Sequence, residues 1–324
     1  MAERPARVPR SDQSEGAHDR VRGPLRIACC VGDTYALPLE VMLRSLVARL
    51  DAHARVELHL LHSGLSDAHL DTVRSIIDTH PVAVCAEQRR GIPADRHFPW
   101  EAAAPLLLPT VLPTAVERVL FIDADVLVLD DISPLWHADL SGRALGAVTD
   151  AAIPLCRSPR GVKRWRERGI SRDARYFNAG VMLVDLCAWR QRQIADRAIG
   201  YLRETRCATD FFHQEALNAT AWNDWASLDP RWNVPAAVGR PFHCGDPGAA
   251  LRPAVVHFSG RMKPWRFRTG SRFDADYQEV LGRTSARARH PAPTRRERVL
   301  GLYDRTLRSA LYPLERALWT MRMI

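Results

Sequence analysis

Short apolar segments alternate with amphipathic ones in the first part of the chain, and this alternation limits the possible folds more than any other feature. Residues 25–31 (LRIACCV) and 56–62 (VELHLLH) are too short for buried helices and are typical of buried strands. Between them, residues 35–50 repeat apolar side chains at helical spacing. Strands joined by helices form parallel sheets with right-handed crossovers. Because such sheets bind ligands at the carboxyl ends of their strands, we expect functional residues directly after strands.

The same pattern continues through the chain, whose 324 residues are enough for one large α/β domain. A helix is predicted to begin at Ser66, which can cap it, with Asp67 in its first turn. Further helices are predicted at 106–116, 186–206 and 212–221. Further strands are predicted at 82–85, 118–122, 126–129, 145–148, 180–184 and 254–257.

Two carboxylates follow one of the strongest predicted strands. Asp123 and Asp125 come directly after RVLFI (118–122), and with one residue between them they lie on the same side of an extended chain. Two like charges at a strand end are costly unless a cation bridges them. Oxygen ligands suit Mg²⁺ or Mn²⁺, which in turn bind diphosphates. The alternative is that both residues only form a turn, as aspartates at strand ends commonly do.

A histidine ends the last predicted strand. His257 precedes a polar segment that contains Gly260 and Lys263. At a strand end the histidine could complete a metal site, the glycine would let the backbone approach a phosphate, and the lysine would neutralise a leaving diphosphate. Taken alone, such a segment is more often a hydrogen-bonded histidine beside a solvated lysine.

Longer segments carry a pattern that is more specific than these single residues. They are 31–46 (VGDTYALPLEVMLRSL), 119–136 (VLFIDADVLVLDDISPLW), 176–190 (YFNAGVMLVDLCAWR), 213–218 (HQEALN), 228–234 (LDPRWNV) and 257–265 (HFSGRMKPW). In this order they resemble the signatures of glycosyltransferase family 8, the galactosyltransferase- and glycogenin-like group. The resemblance spans roughly residues 25–268. Separate segments in the correct order make it specific.

The resemblance implies a GT-A fold: a mostly parallel, Rossmann-like central sheet flanked by helices. It also implies a UDP-sugar donor, a divalent metal ion (Mn²⁺ or Mg²⁺) and transfer of a hexose with retention of anomeric configuration. The residues that it assigns to catalysis are Gln214, beside the anomeric carbon, Lys263 and Asp125.

The same resemblance assigns binding residues by their position in the matching segments. The metal ligands would be Asp123, Asp125 and His257, with Ala124 between the two aspartates. Asn178, Ala179 and Gly180 would line the donor sugar. Gly260 and Lys263 would hold the diphosphate, and Asp33 and Tyr35 would contact the nucleoside.

Three positions depart from the family pattern. The family often has an arginine in the helix before the metal strand, where this chain has residues 103–106 (AAPL), so that charge is either missing or supplied by an arginine from 157–175. The aspartate that usually precedes the catalytic glutamine is His213, and the next acid is Glu215. An acid usual in the first segment is replaced by Gly32, beside Asp33. The donor sugar, whether galactose, glucose or another, therefore stays open.

Two other functions remain compatible with these residues. A non-catalytic nucleotide-sugar-binding protein of the same fold would explain Pro105 and His213 at positions where the family often carries charge. Another metal-dependent enzyme, such as a nucleotidyltransferase or a sugar-phosphate enzyme, could use the same kind of sheet, but the 257–265 segment argues against it. Turnover of a UDP-sugar separates the first alternative from a transferase.

The two ends of the chain differ in composition from the middle. We expect a disordered tail at 1–23, the catalytic domain at 24–270, and an Arg-rich linker followed by an amphipathic helical extension at 271–324. The helix is predicted at 297–324 and interleaves arginines with apolar residues. It could lie on an anionic membrane surface, or pack on the domain or mediate oligomerisation.

The net charge of +9 favours an anionic partner. No zinc-finger spacing or aromatic ribonucleoprotein signature accompanies it, so no nucleic-acid partner is expected. Seven scattered cysteines without a C-x-x-C pair indicate reduced thiols of a cytoplasmic protein. We therefore expect a cytoplasmic enzyme, and the basic C-terminal segment leaves open whether it binds at the inner face of the cell membrane. Its acceptor would be a glycan, or a lipid-linked or cell-envelope molecule.

Overall fold

The structure is a computed structural model that describes residues 23–62, 64–83, 103–205, 211–236, 252–260, 263–266 and 269–285. Residues 1–22 of the predicted N-terminal tail and the predicted helix at 297–324 lie outside these ranges. In the parts of the chain that the structure does describe, none of the helices is long and apolar enough to cross a membrane.

A seven-stranded sheet forms the centre of the fold. Its strands, in spatial order, are β3 (Asp78–Ala83), β2 (Val56–His62), β1 (Leu25–Val31), β4 (Arg118–Ile122), β7 (Phe177–Asp185), β6 (Leu145–Thr149) and β8 (Trp225–Ser227). β7 runs antiparallel to both of its neighbours, and the other strand pairs are parallel. The predicted α/β fold with a mostly parallel sheet is confirmed.

Helices cover both faces of this sheet because the strands are apolar on both sides. One face carries α1 (Ala36–Val47), α2 (Asp67–Arg74) and α4 (Ser133–Trp136). The other face carries α3 (Ala104–Val111), α5 (Leu186–Gln191), α6 (Ile194–Glu204) and α7 (Phe212–Ala221). Successive residues of a strand point to opposite faces, so Leu120 packs under the first group and Phe121 under the second.

A small second sheet lies beside the end of β4. Its strands are β5 (Val126–Val128), β10 (Val255–His257) and β9 (Val234–Pro235), with β10 in the middle. A further helix, α8 (Asp274–Gly282), packs here through the fully buried Tyr277, which contacts Phe258 and Trp265. This sheet brings the end of β10 to the end of β4.

Three predicted element boundaries are wrong, each for a local reason. The third strand begins at Asp78, before the predicted 82–85, because it pairs in register with β2 from Glu57 onward. The helix predicted at 106–116 ends at Val111, since Leu112 is extended, as residues before a proline usually are. The helix predicted at 186–206 is two helices, separated where Gln193 adopts a left-handed backbone (φ 51°).

Two further predictions, the length of one strand and the conformation at the carboxylates, are also wrong. The strand predicted at 180–184 is longer than expected, and as β7 it runs against the otherwise parallel sheet. Asp123 and Asp125 do not lie on an extended chain, because β4 ends at Ile122 and β5 starts a different sheet at Val126. A turn between the two sheets carries both carboxylates.

Candidate active site

The turn between β4 and β5 brings Asp123 and Asp125 to His257 at the end of β10. The His257 Nε2 atom lies 3.2 Å from Asp125 Oδ1 and 3.7 Å from Asp123 Oδ2. Two backbone hydrogen bonds fix the turn: Asp123 N–H donates to the Gly180 carbonyl (2.8 Å) and Phe258 N–H donates to the Asp125 carbonyl (2.9 Å). Strand pairing therefore holds all three side chains at one edge of the central sheet.

Gly180 in β7 forms the floor of this cluster. A methyl group built on its Cα would lie 2.1 Å from His257 Cε1 and 2.9 Å from Asp123 Oδ2. Both distances are far below normal contact, and β7 cannot move away because it pairs with β4. The cluster therefore requires glycine at this position.

Lys263 supplies the positive charge at the two carboxylates. Its Nζ contacts Asp125 Oδ2 and donates a hydrogen bond to the Phe258 carbonyl (2.9 Å). The sequence left open whether an arginine from 157–175 supplies charge here. In the structure, Arg164 and Arg168 of that segment pair with Glu204 on α6 instead.

The charges shift the pKa values of the cluster in opposite directions. Burial raises the pKa of Asp123 to about 7, and the negative charge of Asp125 adds to this shift. Burial alone would also raise the pKa of Asp125, but Lys263 and His257 together lower it below its usual range. Burial would lower the pKa of His257, yet the charge of Asp125 raises it overall. Asp125 is therefore the firmly ionised carboxylate of the pair.

The three side chains fit a divalent cation. Each offers one ligand atom, and these atoms lie within 4.8 Å of one another. Two carboxylate oxygens and one imidazole nitrogen suit Mn²⁺, which accepts both kinds of donor, and also suit Mg²⁺ if further oxygens are supplied. His257 Nδ1 is paired with Asn233 Oδ1 (3.1 Å), which leaves Nε2 directed at the aspartates.

A second buried network lies next to this cluster, around Asp150 at the end of β6. One carboxylate oxygen of Asp150 accepts from the N–H groups of Ala152 (2.8 Å) and Ile153 (2.9 Å). The other accepts from Asn178 Nδ2 (2.9 Å) and Gln214 Nε2 (3.2 Å). One carboxylate thus fixes the two side chains that the family resemblance assigns to the donor sugar.

Backbone contacts complete the orientation of these amides. Gln214 Oε1 accepts from the N–H of Ala179 (3.0 Å), a fully buried residue of β7. Asn178 Oδ1 accepts from Gly180 N–H (3.0 Å) and from Asn233 Nδ2 (2.9 Å). Since Asn233 also contacts His257, it joins the amide network to the candidate metal site of Asp123, Asp125 and His257.

The predicted nucleoside and phosphate residues lie in different surroundings. Tyr35 packs edge-on against Trp265 (5.6 Å between ring centres), with Lys263 Nζ 5.8 Å from its ring. Asp33 is exposed and pairs with His69 Nδ1 (3.0 Å) on α2. Gly260 has a left-handed backbone (φ 82°) that favours glycine. The structure thus brings Tyr35 to the cluster and places Asp33 in a pair with α2.

Glu215 does not replace the acid that is missing at His213. It is fully buried, and its Oε1 accepts from Tyr201 Oη (2.5 Å) and from Lys163 N–H (3.0 Å). The carboxylate that contacts Gln214 is Asp150 instead.

Sequence reasoning missed Asp150 and Asn233. Asp150 directly follows a strand, so the expectation of functional residues after strands could have found it. Asn233 lies inside the 228–234 segment, but its contacts with His257 and Asn178 come from the tertiary fold.

Comparison with known proteins now decides the family. The family described as "Glycosyl transferase family 8" matches residues 26–269. The chain belongs to glycosyltransferase family 8. It is 27% identical to general stress protein A of Bacillus subtilis over 279 residues, which is 80% of this chain and 94% of that protein. It is 30% identical to the probable galacturonosyltransferase 7 of Arabidopsis thaliana over 163 residues, which is 49% of this chain and 25% of that protein.

Solved structures show the same architecture. The galactosyltransferase LgtC, in complex with donor and acceptor sugar analogues, superposes with a TM-score of 0.68 at 25% identity, covering 81% of this chain and 96% of LgtC. The expected GT-A fold is therefore confirmed. The glycosyltransferase GlyE of Streptococcus pneumoniae shares the fold at 17% identity, with a TM-score of 0.60 over 80% of this chain and 60% of GlyE.

The glycine floor of this family 8 glycosyltransferase gives a direct prediction. In the presence of UDP, Gly180→Ala should abolish Mn²⁺ binding, and it should lower the free energy of unfolding by about 1–3 kcal/mol, because the methyl group collides with His257 and Asp123. Gly200→Ala is the matched control: it lies in α6 with nothing within 4 Å of the added carbon. That variant should keep Mn²⁺ binding and gain about 0.5–1 kcal/mol from helix propensity. Calorimetric titration and urea unfolding measure both effects; unimpaired Mn²⁺ binding by Gly180→Ala would contradict the geometry.

The amide network gives a second prediction. Asp150→Asn places an amide where a carboxylate oxygen accepts from Asn178 and Gln214, so it should lower the unfolding free energy by about 1–3 kcal/mol. Turnover of the donor should fall by about ten- to a hundredfold, because small displacements of positioned groups have effects of this size. Asp173→Asn, at an exposed carboxylate, is the control and should change neither quantity. Equal kcat values for the two variants would show that Asp150 does not position the site.

Proposed function

We propose that this family 8 glycosyltransferase transfers a hexose from a UDP-sugar to an acceptor hydroxyl, with retention of anomeric configuration and dependence on Mn²⁺. The observation that carries the proposal is the convergence of Asp123, Asp125 and His257, with Lys263 on the same carboxylates. Relatives with galactosyltransferase and galacturonosyltransferase names support a donor whose sugar is a hexose or its acid.

In the proposed site, different residues bind the diphosphate, the sugar and the nucleoside of the donor. Asp123, Asp125 and His257 would hold the divalent cation, which supplies positive charge to the diphosphate as it leaves. Lys263 would add a second positive charge at the diphosphate, and the left-handed Gly260 would let the backbone approach it. Asn178 and Gln214 would face the donor sugar, in orientations set by Asp150. Tyr35 would contact the nucleoside.

The transfer itself needs no strong base from the protein. The acceptor oxygen would attack the anomeric carbon from the face of the departing diphosphate, so the new C–O bond forms as the glycosyl–phosphate bond breaks. The acceptor proton would pass to the departing phosphate oxygen. Gln214, held by Ala179 and Asp150, would stabilise the positive charge that develops on the sugar through its fixed amide dipole. A covalent glycosyl-enzyme on Gln214 or Asp150 would contradict this route.

Donor turnover tests the proposed function. Wild type should release UDP from one member of a panel of UDP-galactose, UDP-glucose and UDP-galacturonate with Mn²⁺, and chelation of the metal should abolish this release. Asp125→Asn should reduce the rate by about a hundredfold or more, because it removes a charge aimed at the metal. Asp71→Asn, on an exposed α2 carboxylate paired with Arg74, is the control and should keep full activity.

The turnover measurement also distinguishes a transferase from the rival function. Binding of UDP-sugars without turnover by the wild type would favour a non-catalytic nucleotide-sugar-binding protein. NMR of the transferred product would show the anomeric configuration, and inversion would contradict the proposed retention.

We also propose that the basic 297–324 segment holds the enzyme at the inner face of the cell membrane, close to a lipid-linked or cell-envelope acceptor. Arginines interleaved with leucine, tryptophan and methionine suit an anionic interface. The full chain should co-sediment with vesicles rich in phosphatidylglycerol but not with neutral vesicles. A chain shortened after residue 296 should lose this binding; equal binding of the two chains would contradict the proposal.

A further inference from the structure

Lys263 is a largely enclosed cation at the site. Its side chain is 14% exposed, and its ammonium group lies between Asp125 Oδ2 and the Phe258 carbonyl. Two aromatic rings flank it, with Nζ 5.8 Å from the Tyr35 ring and 5.4 Å from the Trp265 ring. Aromatic faces attract an ammonium group, so this position is favourable even before a ligand arrives.

Helix α8 holds this aromatic enclosure in place. Tyr277 of α8 packs on Trp265 (6.2 Å) and on Phe258 (5.0 Å between ring centres). Gln278 Nε2 donates to the carbonyl of Pro264 (2.8 Å), the residue after the lysine. The backbone around Lys263 is therefore tied to a packed helix.

The contact with Lys263 uses an oxygen that a metal ion would need. Asp125 Oδ1 is directed at His257 Nε2 and Asp125 Oδ2 at Lys263 Nζ, so both oxygens of the carboxylate are engaged. A divalent cation at Asp125 would lie within a few ångströms of the ammonium group. Like charges at that distance repel strongly in a partly buried site. A divalent cation that binds without nucleotide must therefore separate Lys263 from its buried partner Asp125. It brings no other anion that the ammonium group could contact.

We infer that Lys263 competes with the metal ion for Asp125, and that the diphosphate of the nucleotide releases the metal site by accepting the ammonium group. This inference rests on the proposed function, because it requires a diphosphate in the site. Metal and nucleotide then bind with positive coupling, and by linkage each strengthens the other by the same factor. The enzyme holds little metal until its donor is present.

The direction in which metal affinity changes when Lys263 is removed distinguishes this role from that of an ordinary salt bridge. If Lys263 only stabilised the fold and the carboxylates, its removal would leave metal affinity unchanged or weaken it. If Lys263 competes with the metal, its removal frees Asp125 and tightens metal binding in the absence of nucleotide. The two roles therefore predict opposite changes in a measurement that needs no catalysis.

The test is Mn²⁺ binding to the full chain, followed by the EPR signal of free Mn²⁺. Without nucleotide, Lys263→Met should bind Mn²⁺ about tenfold or more tighter than wild type, a size usual for coupled sites. UDP, corrected for the Mn²⁺ that it binds in solution, should tighten Mn²⁺ binding less in the variant than in wild type. Arg283→Met removes one positive charge from an exposed position on the end of α8 and should behave like wild type.

Lys263→Gln is a second variant, which can still donate a hydrogen bond to Asp125 and so protects the test against misfolding. Circular dichroism and thermal unfolding verify that both variants fold. The inference would be overturned if both variants, without nucleotide, bind Mn²⁺ no more tightly than wild type does. The proposed function still stands in that case if wild type binds Mn²⁺ in the presence of UDP. Absence of Mn²⁺ binding in wild type even with UDP would overturn both.

Discussion

The structure depends on the placement of two carboxylates at the junction of two sheets. Asp123 and Asp125 repel each other, and burial at the end of β4 strengthens that repulsion. Three features of the fold make the arrangement possible: β10 delivers His257, the segment after it delivers Lys263, and Gly180 leaves room for the imidazole. Each comes from a distant part of the sequence, so the complete fold is needed to form the site.

The cluster and the amide network act as one unit because they share a residue. Asn233 contacts His257 on one side and Asn178 on the other, while Asp150 holds Asn178 and Gln214. A displacement of the candidate metal ligands would therefore reach Asn178 and Gln214, which we propose to face the donor sugar. In a transferase, this connection would align the glycosyl–phosphate bond with the positive charge that stabilises the departing diphosphate.

Much of the fold could be predicted because it is encoded locally. β1, β2 and β4 have the predicted bounds, since each is an apolar run ended by turn or polar residues, and Ser66 caps α2 as expected. The reversed direction of β7 could not be predicted, because strand direction is set by pairing with distant strands and not by periodicity. The candidate metal site was visible as a motif, whereas Asp150 and Asn233 gain their importance from contacts that only folding creates.

Crystals grown with Mn²⁺ and UDP would test the central claim most directly, through anomalous scattering at the manganese edge. The account predicts one Mn²⁺ ion bound by Asp123, Asp125 and His257, with the UDP diphosphate beside it and Lys263 Nζ on a phosphate oxygen instead of on Asp125. Bound UDP with Mn²⁺ at other residues, or with Lys263 still paired to Asp125, would contradict the account.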